Sequence, residues 1–255
     1  MSLIQQITEM YTPLLNVENL NVEFRNHAGK SIHAVRDVSF SLGQERLGIV
    51  GESGSGKSTV GRSILSLIPT SAKIKANKIA LNGVDLLKLS ELEMRQFRGN
   101  KISMIMQDPK HALNPVMRVG DQIAEAFRLH NRIGRAKAKQ KVLDILNDVQ
   151  IRDPERVFRA YPHELSGGMG QRVMIAMMLI PGPDLLIADE PTSALDVTVQ
   201  MQILAIIDDL VRDKGMGLIF ISHDLNLMAS FCDRILIMYA GRIVEECRAS
   251  ELSQA

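Results

Sequence analysis

LGIVGESGSGKST, from Leu47 to Thr59, decides the fold of this chain. Leu47, Gly48, Ile49 and Val50 read as a short buried strand, and the residues after them fit the spacing G-x-x-x-x-G-K-S/T from Gly51 to Ser58. A strand that runs through a glycine-rich turn into a helix aims several backbone N–H groups at one point, beside the positive end of the helix dipole. That point suits the β- and γ-phosphates of a nucleotide. Gly51, Gly54 and Gly56 let the backbone come close to the phosphates, with Glu52, Ser53, Ser55 and Thr59 completing the cradle. Lys57 neutralises charge, and Ser58 offers its hydroxyl to Mg²⁺. An ordinary glycine-rich turn would account for the glycines, but not for strand, loop and helix agreeing around Lys57.

LLIADE, Leu185 to Glu190, supplies a second half. An apolar strand ending in consecutive carboxylates presents them at its carboxyl end, where open α/β sheets bind ligands. Asp189 would hold Mg²⁺ through water, and Glu190 would orient or deprotonate an attacking water. A strand ending in a solvated acidic turn is the plainer reading of Asp-Glu, and it weakens once Lys57 and Ser58 need such a partner.

LSGGMGQRV, Leu165 to Val173, is the most discriminating segment, because phosphate-loop proteins in general have no use for it. Ser166, Gly167 and Gly168 precede the apolar helical stretch Val173 to Ile180, so they form another helix N-terminus with close backbone access. LSGG upstream of an acidic strand resembles the signature of ABC-type ATPases. The resemblance implies that two nucleotide-binding domains pair head to tail, with Ser166, Gly167 and Gly168 contacting ATP held by a partner subunit. Capping is the simpler role for Ser166, and it is compatible with that one.

The same resemblance assigns further residues. Gln107, after the apolar run Ile102 to Met106, matches the Q-loop glutamine that reaches Mg²⁺ and the water. Ser193 to Asp196 match the D-loop, which crosses the dimer interface. His223, after the run Leu218 to Ile221, matches the switch histidine that contacts the γ-phosphate and supports Glu190. By resemblance the catalytic set is Glu190, His223, Gln107 and Lys57, the metal set is Ser58, Gln107 and Asp189, and the ligands are ATP and Mg²⁺. Phe24, at the end of the strand Leu15 to Phe24, falls where the family stacks an aromatic on adenine. A core phenylalanine is the alternative, with Ile32 or His33 as substitutes because the loop around Asn26 to Lys30 is longer than in the shortest members.

Composition bounds the rest. A chain of 255 residues, 45% hydrophobic and 23% charged, can bury one substantial α/β core with a subdomain attached. A net charge of +1 gives no electrostatic case for nucleic acid. Cys232 and Cys247 have no metal-type spacing and form no disulfide framework, which fits a reducing cytoplasm. The uncharged apolar stretch Val173 to Pro183 is too short to span a bilayer, and Met1 to Met10 lacks the features of a signal peptide. If membranes are involved, another chain crosses them.

The expected fold is α/β: a P-loop, RecA-like ABC ATPase core with an antiparallel β subdomain and an inserted α-helical subdomain. Residues 14–107 and 166–255 would form the core with the β subdomain, and 108–165 the helical insertion ending at the signature. Asn82-Gly83 and Ala240-Gly241 read as hairpin turns, and Val119 to His130 and Ala136 to Val149 show apolar residues at helical spacing.

MIMQDPKHALNPVMRVGDQIAEAF, Met104 to Phe127, is similar to the Q-loop region of the dipeptide, oligopeptide and nickel importer group. GGMGQRVMIAMMLIPGPDLLIADEPTSALDVTVQMQIL is similar to that group's D-type ATPase. The resemblance implies an importer of peptides, nickel or metal chelates with a second, F-type ATPase, two transmembrane permease subunits and an extracytoplasmic solute-binding protein. It also implies a peripheral place on the cytoplasmic face of the inner membrane. A soluble ABC ATPase and an exporter ATPase are the alternatives, and the QDP and LNP pattern argues against the exporter. Two departures stand out. Gly170 replaces a residue that is often basic in the group, and the chain ends at Ala255 where peptide-importer members commonly continue into a cysteine-bearing extension, so that a short member and a truncated sequence both stay open.

Overall fold

The computed structural model describes residues 13–25, 31–108, 112–193 and 195–252; the stretch Met1 to Met10, the loop Asn26 to Lys30 and Ala194 of the Ser193 to Asp196 segment lie outside them. The chain divides into two units, one running to Met94 and resuming at Ile219, the other comprising Arg95–Leu218.

The first unit opens with β1 (Leu15–Arg25), β2 (Ser31–Leu42), β3 (Arg46–Val50), α1 (Lys57–Ile64), β4 (Ala72–Lys75), β5 (Lys78–Leu81) and β6 (Val84–Asp85). An antiparallel sheet is ordered β2-β1-β5-β6, with β4 also on β1. Its buried face is Leu15, Val17, Leu20 and Val22 on β1, and Val35, Val38, Phe40 and Leu42 on β2. Each strand changes parity once along its length. The change falls at Asn19 and Asp37, which both have φ 52°, and where the β1–β2 register shifts. A bulge in each strand keeps the apolar side chains on the same face after the slip. Asn82 and Gly83, with φ 48° and 80°, supply the left-handed pair that a two-residue hairpin turn requires between β5 and β6.

α2 (Glu91–Phe97) lies where the units part, and the second unit continues with β7 (Ile102–Ile105), α3 (Val119–Arg128), α4 (Arg135–Asp148), α5 (Pro154–Arg159), α6 (Gly167–Leu179), β8 (Leu185–Asp189) and α7 (Val197–Lys214). β7 and β8 pair in parallel, Ile102 opposite Leu185 and Ile105 opposite Ala188. Every residue of both strands is buried, as parallel strands covered on both faces must be. α3, α4 and α5 pack on one another, and α6 packs on α3, α4 and β7. The apolar seam runs through Val119, Ile123, Val142, Leu146, Val157 and Val173.

β9 (Gly217–Ser222) brings the chain back to the first unit, followed by α8 (Leu225–Phe231), β10 (Arg234–Tyr239), β11 (Arg242–Arg248) and α9 (Ala249–Leu252). There the strand order is β11-β10-β3-β9, with β10 parallel to β3 and antiparallel to β11. Asp233 fixes that parallel register, since its carboxylate accepts from the Arg46 backbone at 2.8 Å and from the Arg46 guanidinium at 2.7 Å. Burial works against the charged form of Asp233, and the Arg46 hydrogen bonds and charge outweigh it, so its pKa is lowered. Both cysteines are free, and burial pushes the Cys232 thiol up to about 12, which keeps it protonated and unreactive. Among the described residues no helix is long and apolar enough to cross a membrane.

Candidate functional site

The glycine-rich turn leaves β3 at Val50 and enters α1 at Lys57, as the strand, loop and helix pattern requires. Gly56 caps α1 with φ 102°, a conformation that a residue with a Cβ rarely adopts. A Cβ at Gly56 would lie 2.4 Å from Ala34 O, and one at Gly51 would lie 2.1 Å from Met238 O. The backbones of β2 and β10 thus lie against the loop, leaving no room for a side chain at Gly51 or Gly56. Lys57 is only 5% exposed, and its Nζ donates to Gly51 O at 2.7 Å and Glu52 O at 2.8 Å. A buried ammonium needs such oxygens, and here they come from the loop itself. Ser55 Oγ is buried without a hydrogen-bond partner, an orphan hydroxyl of the kind that a phosphate oxygen can satisfy.

Gly56→Ala is expected to cost roughly 1–3 kcal/mol through backbone strain and the clash at Ala34, with Tm lowered by about 2–4 °C per kcal/mol. Calorimetric melting and nucleotide titration check it. A variant with unchanged melting and affinity would mean that the loop relaxes freely around the new methyl group.

His223 sits between the end of β9 and Asp224, whose side chain caps α8 by accepting from Leu227 N–H at 3.0 Å. It is exposed, and with Gly51, Glu52 and Ser53 it lines a cavity of about 440 Å³ completed by Val50, Leu225 and Ile237. The structure thereby brings the candidate switch histidine to the phosphate loop. Phe24 is absent from that lining; it is half-buried in β1, paired with Ile32 of β2 and Ala72 of β4. Ile32 is 55% exposed, and His33 lies opposite Glu23.

The second unit gathers the other candidates. Asp189 ends β8 and is 3% exposed, while Glu190 follows with φ 47°. A glutamate in the left-handed region before a proline is held against its own preference, at a cost of order 1–3 kcal/mol. A turn stabilises it, with Ser193 N–H and Oγ both donating to Glu190 O at 3.3 Å. Gln107, beyond the end of β7, donates from Nε2 to Glu190 Oε2 at 3.1 Å. β7 and β8 are paired strands, so their carboxyl ends deliver Gln107 and Glu190 side by side.

Ser166 caps α6, its hydroxyl accepting from Met169 N–H at 3.4 Å, and Ser166 and Gly167 are both exposed. A Cβ at Gly168 would meet Val199 Cγ1 of α7 at 2.9 Å, which explains the glycine without a ligand. Asp196 caps α7 in the same way, accepting from Val199 N–H at 3.0 Å. Gly170 is buried within α6. Two residues without an assigned role in the sequence reading also belong here. The Gln171 amide donates to Pro191 O, and Arg172 donates to Val149 O and Gln150 O at the end of α4 and to Gln202 of α7. A polar residue among the apolar ones of α6 was the available signal for Gln171.

The comparisons agree with this architecture. A dimeric ATP-binding cassette in a post-hydrolysis state with ADP and Pi is 25% identical, with a TM-score of 0.81 over 92% of this chain and 98% of that one. The probable peptide ABC transporter ATP-binding protein y4tR of Sinorhizobium fredii is 51% identical over 94% of this chain and 72% of its own length. The oligopeptide transport ATP-binding protein OppD of Salmonella typhimurium is 44% identical over 99% of this chain and 76% of its length, and the dipeptide transport ATP-binding protein DppD of Bacillus subtilis is 48% identical over 91% and 70%. The family described as "ABC transporter" matches residues 35–193, a span that starts within β2 and takes in the glycine-rich loop, the signature and the turn after Glu190, and the chain belongs to that family.

Proposed function

We propose that this chain is the ATP-binding and hydrolysing subunit of an ABC importer of peptides. What carries the reading is the extent of the likeness to y4tR, whose name says peptide transport, at 51% identity over 94% of the chain. The partners are a homologous second ATPase, two membrane-spanning permease subunits and, indirectly, an extracytoplasmic solute-binding protein, with the chain peripheral on the cytoplasmic face of the membrane. Residues 108–165 act as the helical subdomain, and 14–107 with 166–255 as the core and β subdomain.

In the proposed reaction, water attacks the γ-phosphorus of ATP, the bond to the β–γ bridging oxygen breaks, and ADP and phosphate result. Glu190 orients the water and takes its proton. Gln107 holds the Glu190 carboxylate, and His223 contacts the γ-phosphate from the loop side. Lys57 and the N–H groups of Gly51 to Thr59 balance the phosphate charge. Ser58, Gln107 and Asp189 would hold Mg²⁺. The donor types suit such a hard cation: a hydroxyl, a carboxylate and an amide oxygen. When bound, Mg²⁺ supplies charge neutralisation on the β- and γ-phosphate oxygens. Phe24 is the proposed adenine-stacking residue. Ser166, Gly167 and Gly168 serve ATP held by the partner subunit.

The test of function is uptake by cells and vesicles. Deleting this chain is expected to abolish ATP-dependent uptake of a labelled peptide, and tagged chain is expected to pull down two permease subunits and a second ATPase. Peptide uptake that persists while uptake of another solute class fails would overturn the peptide assignment.

The trans arrangement carries its own prediction. The chain alone is expected to be a poor ATPase, because losing one preorganised donor costs roughly 10²- to 10³-fold in rate. In the assembled complex, Ser166→Arg is expected to impair photolabelling of the partner's phosphate loop by a reactive ATP analogue and to spare labelling at Lys57. Loss of labelling at Lys57 with the partner spared would refute the head-to-tail arrangement.

A further inference from the structure

Gln171 is a buried polar side chain without a part in the reaction described above. It lies on α6 and is 2% exposed, with Val173, Met174 and Ala176 of the same helix buried and apolar. A carboxamide is tolerated in such surroundings when it is hydrogen-bonded, and its Nε2 donates to the carbonyl oxygen of Pro191. Pro191 follows Glu190, whose backbone is left-handed with φ 47°. Neither a glutamate nor a residue before proline keeps that conformation by its own preference, so neighbouring contacts must hold it. Ser193 holds the Glu190 carbonyl, Gln107 holds its carboxylate, and Gln171 holds the next carbonyl along the chain.

We propose that Gln171 is a positioning residue. Its amide pins the Pro191 carbonyl, and through it the strained turn that aims the Glu190 carboxylate at the water. The same helix begins with the capping serine Ser166, less than two turns away. A shift of α6 when the signature closes on the partner's ATP is therefore passed to Glu190 of this chain through one hydrogen bond. The inference rests on the reading of Glu190 as the residue that takes the proton.

The experiment uses the assembled transporter. Gln171→Leu keeps the volume and removes the donor, and Gln171→Glu keeps the shape but donates only when its carboxyl is protonated. For Gln171→Leu the kcat for ATP is expected to fall roughly 10- to 100-fold, the scale of a small misplacement of a catalytic group, with KM for ATP unchanged. For Gln171→Glu the ratio of its kcat to that of the wild type is expected to rise as pH is lowered from about 8 to about 6, since burial raises a carboxyl pKa. A kcat near wild type in Gln171→Leu, equal losses in kcat and ATP affinity, a pH-independent ratio, or failure of both variants to assemble would each overturn the assignment. Glu190→Gln is the control. If it hydrolyses ATP normally, the reading of Glu190 fails; if it is inactive while Gln171→Leu is normal, only the role of Gln171 fails.

Discussion

Glu190→Gln is expected to bind ATP as the wild type does while hydrolysis falls roughly 10²- to 10⁴-fold, the range that general base catalysis contributes. The substitution is nearly isosteric, so it keeps the left-handed turn at φ 47° and the Ser193 contacts to the backbone carbonyl. The side-chain oxygen can still accept from Gln107, which donates to this carboxylate at 3.1 Å in the wild type. Lost are only the negative charge and the ability to take a proton from water. Binding should survive, because the loop proposed to hold the nucleotide is built from other residues, Gly51 to Thr59. The assembled complex should then accumulate with ATP bound and the signature closed over it. Stopped-flow phosphate release and equilibrium ATP binding separate the two effects. Near-normal turnover would remove Glu190 from the mechanism, and parallel loss of binding would make it a structural residue of the turn after β8.

How much of this was legible in the sequence depends on whether the cause is local. The phosphate loop was legible because its glycines, its lysine and the strand and helix beside it lie within a short stretch, and short-range geometry decides them. The hairpin turns were legible for the same reason: Asn82-Gly83 and Ala240-Gly241 take left-handed φ because the turn demands it. The paired bulges at Asn19 and Asp37 were not, since parity slips in one strand have meaning only against the other, and the sequence does not display which strands are neighbours. Gln107 could be placed at the end of its strand. That its amide meets Glu190 follows from the parallel pairing of β7 and β8, a long-range event. Gln171 was visible as a polar residue within an apolar helix, but its acceptor, Pro191 O, is a backbone atom and leaves no side-chain pattern. The left-handed backbone of Glu190 was the least legible feature, because the conformation runs against the residue's own preference and is imposed by the turn.

Lys57→Ala is expected to lower both ATP affinity and turnover, the first by at least about tenfold and the second by roughly 10²- to 10³-fold, for two reasons that the structure separates. The first is electrostatic: in the proposed site the ammonium is the cation set against the terminal phosphates, and charge-assisted hydrogen bonds are worth about 1.5–3 kcal/mol each. The second is conformational. Lys57 Nζ bonds Gly51 O at 2.7 Å and Glu52 O at 2.8 Å, so its removal also unties the start of the loop that it would serve. In the proposed site a bound phosphate would compete with those carbonyls for the same ammonium, and the lysine would be a brace in one state and a ligand in the other. Lys57→Met keeps the buried stem, which packs at 5% exposure, and removes the charge and both bracing hydrogen bonds, so melting without nucleotide is what tells the two reasons apart. If the charge dominates, both variants lose ATP affinity by calorimetry with nucleotide-free melting unchanged; if the bracing bonds contribute, both also melt lower without nucleotide, and the alanine variant lowest where the stem packs. Unchanged ATP binding in both variants would mean that Gly51 to Thr59 does not hold the nucleotide at all.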